Sequence, residues 1–142
     1  MSSRFSKPIT KGDDGAKDLI IEALEGKFTG GFDLDSIYCK NGKYTVIEFL
    51  KCETVRPFDS HPKRYWHLNA QKFKSLWEIA LKLEADLFLV NYEDSREQFK
   101  VIKVKELDGS GITKEEFAEW NFTQFKTWFQ KLNSSVLEQD SK

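Results

Sequence analysis

In the stretch "SIYCKNGKYTVIEFLK", two strand-forming runs are separated by Asn41-Gly42. Both residues of this dipeptide tolerate positive φ, so Asn-Gly between such runs specifies a tight two-residue hairpin and the register of the strands it joins. The second strand is the more demanding of the two. Val46, Ile47, Phe49 and Leu50 are nearly continuously apolar, which suits a central strand covered on both faces. Glu48 stands in the middle of that run. A carboxylate with apolar neighbours needs a partner once it is buried, so this short segment constrains both the fold and whatever packs against it.

The rest of the chain supplies the remaining layers. In "KGDDGAKDLIIEALEGKF", Ala16, Leu19, Ile20, Ala23 and Leu24 recur at helical spacing, with Asp13 or Asp14 near the start and Gly26 as a stop. "CETVRPFDSHPKRYW" is a loop with two prolines. Residues 68–85 predict a second helix whose inner face is Leu68, Phe73, Leu76, Ile79, Ala80 and Leu83. "DLFLVNY" is an apolar strand. "QFKVIKVKEL" alternates apolar residues with lysines and is expected at a sheet edge. After the break at "DGSG", Thr113 and Glu116 have the spacing of a capping box. They predict a helix over 113–133, with Phe117, Trp120, Phe125, Trp128 and Phe129 on one face, packed on the sheet. Residues 1–10 are expected to be a flexible arm, 11–133 a single domain and 134–142 a disordered tail. This order of elements predicts an α/β sandwich with a central mixed sheet.

Composition narrows the function. The 142 residues carry a net charge of −1, so nucleic-acid binding would have to rest on a local basic patch. The two cysteines, Cys39 and Cys52, are too few for a disulfide framework or a cysteine-rich zinc site. His61 and His67 lack a cysteine pair at zinc-ligand spacing and are expected at the surface or against DNA. With no apolar run of membrane-spanning length, a soluble cytoplasmic protein is expected and no membrane partner.

The hairpin is expected to bring Asp35 and Glu48 together. If the strands pair around Asn41-Gly42, both carboxylates lie on one sheet face; Asp33, of the same parity, is the rival to Asp35. Paired carboxylate oxygens suit a hard cation such as Mg²⁺, which keeps several waters of its own. A metal so held can activate water and offset charge on a phosphate, and a nearby lysine would orient the water or hold the phosphate.

Asp35, the short hairpin and "VIEFLK" resemble the core of the PD-(D/E)XK, or restriction-endonuclease-like, nuclease superfamily. The helix before the motif and the helix-then-strand of "RYWHLNAQKFKSLWEIALKLEADLFLVNYED" are similar in order. The resemblance spans about residues 11–104 and is nearest to archaeal Holliday-junction resolvases and small restriction-endonuclease-like domains. It implies a restriction-endonuclease-like α/β/α sandwich and a Mg²⁺-dependent DNA endonuclease, with Mn²⁺ as a substitute. It also implies a homodimer or a partner subunit, and a setting in restriction, recombination or phage DNA processing. Asp35 and Glu48 would then be the metal ligands, with Glu22 or Asp18 of the first helix assisting.

The family pattern is Glu-x-Lys, and here Leu50 stands in the lysine position and Lys51 follows one residue late. Strand alternation turns Lys51 away from Glu48 unless a bulge intervenes. Ala16 stands where the first helix would carry its acid. A lysine of the second helix, Lys72 or Lys74, is the alternative. Arg56, Lys63, Arg64, Tyr65 and Lys74 form the expected DNA-facing surface, where cations meet phosphates and aromatics stack on bases. Without catalysis, the same fold would be a module that binds nucleic acid or a protein. A third reading makes it a small interaction protein that uses its aromatic C-terminal helix.

Overall fold

The computed structural model describes residues 15–32 and 34–138. The expected N-terminal arm, Asp13, Asp14 and Asp33 lie outside them. The chain divides into two compact units, residues 1–33 and 34–142. The first contains helix α1, Gly15–Leu24, which has no buried residue. Glu25 and Gly26, both at positive φ, follow its end, where the sequence places a stop.

The second unit is built on a five-stranded sheet in the order β1-β2-β3-β4-β5. β1 (Ser36–Lys40) and β2 (Lys43–Lys51) form the expected hairpin. Their register runs from Ser36↔Ile47 to Lys40↔Lys43, and the turn residues Asn41 and Gly42 have φ of 50° and 82°. This is the left-handed backbone that matches the twist of the flanking strands. β2 pairs in parallel with β3 (Asp86–Tyr92). A parallel pair needs a crossover, and helix α2 (Trp66–Leu83) supplies it. β4 (Phe99–Asp108) and β5 (Gly111–Trp120) complete the sheet in antiparallel fashion.

Strand alternation divides the side chains between two helices. Val46, Leu87, Leu89, Ile102 and Val104 form one cluster with Phe73, Leu76 and Ala80 of α2. Ile47, Val90, Phe99 and Val101 form the other, against Phe125, Trp128, Phe129 and Leu132 of α3 (Phe122–Leu137). The chain is therefore of the mixed α/β class, with the sheet of this unit covered on both faces. The aromatic layer under α3 includes stacked Phe99 and Phe125 rings at 4.5 Å and an edge-on Phe88–Trp128 pair at 5.2 Å. Leu68, expected inside, is 74% exposed at the first turn of α2.

Three expectations are corrected. Residues 111–120 are a strand and not the start of a helix. Their pairing with β4 sets Lys100 opposite Glu119, Lys103 opposite Glu116 and Glu106 opposite Lys114. Opposite charges across an antiparallel pair favour the strand, and tertiary pairing overrides the local helix signal of Thr113 and Glu116. The capping box lies at Asn121 and Gln124, each side chain accepting from the other's backbone N–H at 2.9 Å. β4 is an interior strand, because β5 takes the edge. Finally, α3 runs on through residues 134–137, which were expected in a disordered tail; residues 139–142 lie outside the description.

Backbone conformation yields a first prediction. Gly42→Ala leaves the space around the turn free but puts a Cβ at φ 82°, so it should destabilise by roughly 1 kcal/mol. Glu84, which ends α2 at φ 54° and ψ 41°, should behave in the opposite way. Glu84→Gly should add about 0.5 to 1 kcal/mol, because the left-handed position favours glycine and the Lys43 bond to the Glu84 carbonyl is a main-chain contact. Urea midpoints of the two variants, moving in opposite directions from the native value, check both.

Candidate functional site

One step beyond Ser36↔Ile47 in the β1–β2 register, Asp35 comes opposite Glu48. Opposite residues of an antiparallel pair share a face. The Asp35 carboxylate prolongs the ladder: its Oδ2 accepts from the Phe49 backbone N–H at 2.9 Å. Glu48 is 1% exposed, and by alternation it faces α2 together with Val46 and Leu50. Lys72 stands one turn ahead of Leu76 on the inner side of that helix. Its Nζ lies 2.7 Å from Glu48 Oε1. Glu48 Oε2 is buried without a hydrogen-bond partner.

Burial pushes the Glu48 carboxyl above the usual carboxylate range. The Lys72 hydrogen bond and charge pull it back, while the neighbouring Asp35 carboxylate adds to the rise. The outcome is a raised pKa in a group hemmed in by one like and one opposite charge. Two hard oxygen donors, one of them an unpaired buried atom, fit a small divalent cation. Among the described residues no group of three or more His, Cys, Asp and Glu is disposed to hold a metal. A cation here would accordingly take two protein carboxylates and complete its shell with water and substrate, the habit of Mg²⁺.

The lysine beside Glu48 is Lys72 and not Lys51. Lys51 projects from the other face of β2 and pairs with Asp94 at 3.3 Å and Glu53 at 3.5 Å. Glu22 and Asp18 are exposed on α1, in the N-terminal unit. Arg56 is engaged by acids, its Nη2 lying 2.7 Å from Glu93 Oε2 and 3.2 Å from Glu97 Oε1. That guanidinium, with the Ser95 hydroxyl, holds Glu93 down to about 2. Lys63 and Arg64 are exposed in the 3₁₀ turn Pro62–Tyr65, and Lys74 is half-buried on α2. Tyr65 is half-buried, its ring centroid 6.5 Å from that of Phe73, and burial raises its hydroxyl. Arg64 and Tyr65 join Lys51, Cys52, Thr54 and Ser60 around an open cleft of about 290 Å³ beyond the end of β2.

His61, expected at the surface or against DNA, has an internal task. Its Nδ1 accepts from the Lys63 N–H at 3.0 Å, so Nε2 carries a proton toward Glu115 Oε1 at 2.6 Å, tying the loop to β5. Asn91 is the residue that pattern reading missed. It is fully buried, faces α2 across from Leu50, donates to the Lys100 carbonyl at 3.1 Å and leaves Oδ1 unpaired. Its signal was an amide inside the apolar run "DLFLVNY".

No family model matches the chain, and neither a curated protein nor a solved structure matches it.

The raised Glu48 carboxyl has a consequence for stability. An acid whose folded pKa exceeds its unfolded value binds more protons in the folded state between the two, so stability falls as pH rises through that window. The window opens at the ordinary value of 4.5 and extends upward. Glu48→Gln removes the effect, so the variant should gain on the native protein from about pH 4.5 upward and then level off. Urea unfolding at a series of pH values checks this; a native protein that gains on the variant instead would mean that the Lys72 attraction outweighs burial.

Proposed function

We propose that this chain is a Mg²⁺-dependent DNA endonuclease of the restriction-endonuclease-like fold, hydrolysing phosphodiester bonds, with Mn²⁺ able to replace Mg²⁺. The observation that carries the reading is the Lys72 ammonium 2.7 Å from Glu48, with the Asp35 carboxylate alongside. Two carboxylates and a lysine at one point form the group that metal-assisted phosphodiester hydrolysis needs, and here the lysine comes from the helix and not from the strand.

In this reading Asp35 and Glu48 hold the ion. When bound, it supplies Lewis acidity and lowers the pKa of a coordinated water. Lys72 orients the attacking water or holds a non-bridging phosphate oxygen, from a stem that reaches solvent beside the buried Glu48. The Phe49 amide fixes the Asp35 carboxylate, so that ligand is oriented before substrate arrives. Lys63, Arg64 and Lys74 are the cations left to hold the DNA backbone, since Arg56 already serves Glu93 and Glu97.

Cleavage of supercoiled plasmid and of branched DNA tests the reading with Mg²⁺, with Mn²⁺ and with EDTA. Metal-dependent cutting should fall by two orders of magnitude or more in Glu48→Ala and about 10²-fold in Lys72→Met, while Lys51→Ala should cut nearly as well as the native protein. The second reading is a nuclease-fold module that binds DNA or a partner without cutting. It draws on Leu50, which packs in the α2 cluster at the position where the family pattern has lysine. It predicts retained DNA binding and no cutting with either metal. In both readings Arg64→Ala should weaken binding across sequences and lower the salt slope by about 1.

A further inference from the structure

Resting on the reading of Asp35 and Glu48 as ligands, we propose that Lys72 is a place-holder whose ammonium competes with the divalent cation for Glu48, and that backbone phosphate relieves the competition.

The Glu48 side chain is 2% exposed and the Lys72 side chain 34%. The carboxylate is locked between sheet and helix, whereas the ammonium ends a flexible four-carbon stem that reaches solvent. Asp35 is also held, through the Phe49 amide. Of the two partners in the ion pair, Lys72 is the one with a path to solvent. A buried carboxylate left without a cation is costly, so Lys72 answers that need while no metal is present. With Lys72 still in contact, an arriving divalent ion would leave an excess positive charge against the buried Glu48 carboxylate. With Lys72 withdrawn, the two carboxylates balance the ion. A phosphodiester gives the withdrawn ammonium a new partner, so Lys72 makes metal and DNA binding favour each other.

Mn²⁺ binding followed by electron paramagnetic resonance, without DNA, tests the competition. Lys72→Met should bind Mn²⁺ at least tenfold more tightly than the native protein, and Glu48→Gln more weakly. A short DNA duplex should tighten Mn²⁺ binding by the native protein by a larger factor than by Lys72→Met. Because Lys72→Met could fail to fold, a second measurement uses the native protein with ¹³Cε-labelled lysine. The Lys72 resonance, assigned with Lys72→Arg, should move toward that of a solvated lysine as Mg²⁺ is added, while the Lys51 resonance stays in place. Equal or weaker Mn²⁺ binding by Lys72→Met overturns the proposal even where the native protein cuts DNA. So does a Lys72 resonance that stays in place at saturating Mg²⁺. Mn²⁺ binding by neither protein would overturn the ligand reading of Asp35 and Glu48, and this proposal with it.

Discussion

A carboxylate at the centre of a sheet has to be answered by a cation, and the arrangement around Glu48 follows from that requirement. β2 is covered on both faces, so Glu48 is buried. Alternation excludes Lys51, which belongs to the α3 side. The partner has to come from the helix that covers the Glu48 face. A parallel pair such as β2 and β3 needs a crossover, and the helix that supplies it, α2, lays Lys72 over the strand one turn before Leu76. The same geometry that buries Val46 and Leu89 under Leu76 thus delivers the ammonium.

Two buried acids in this molecule titrate in opposite directions. Glu93, fixed by Arg56 and Ser95, is held down to about 2; its contribution to stability is present above the ordinary carboxylate range and is lost as pH falls through it toward 2. Glu48 has a single lysine, an unpaired oxygen and a like charge beside it, and is raised. The first pattern is that of a clamp between a loop and the end of a strand. The second is that of a group kept short of full satisfaction, which is where perturbed carboxyls in functional sites are found. The His61–Glu115 contact and the Lys100 bond to the Ser60 carbonyl add to the first pattern, tying the proline-containing loop to β4 and β5.

The aromatic C-terminal half shows how a one-dimensional pattern can mislead. Phe117 and Trp120 fall in helical phase with Phe125, Trp128 and Phe129, and Thr113 with Glu116 has the spacing of a cap. Yet Phe117 is 57% exposed on an edge strand, and only the later residues belong to α3. The competing signal was present in the charges of Lys114, Glu116 and Glu119 and in Asn121 with Gln124. It gains meaning only beside β4, whose lysines and glutamate lie opposite in the register. A capping box satisfies local donors, whereas a strand needs a neighbour that sequence spacing does not reveal.

The amino-acid sequence by itself determined the Asn41-Gly42 hairpin, the doubly buried β2, the second helix and the approach of Asp35 to Glu48. Each of these depends on interactions within a few residues or on periodicity along a single element, where local torsional preference and alternation suffice. The tertiary structure decided the order of the sheet, the strand in place of the helix at 111–120, the burial of Asn91 and the choice of Lys72 over Lys51. Those outcomes depend on which chain segments pack against one another across long sequence separations. A lysine's reach to a carboxylate is set by where a helix lands on a sheet, and that position is fixed only when both faces of the sheet are filled.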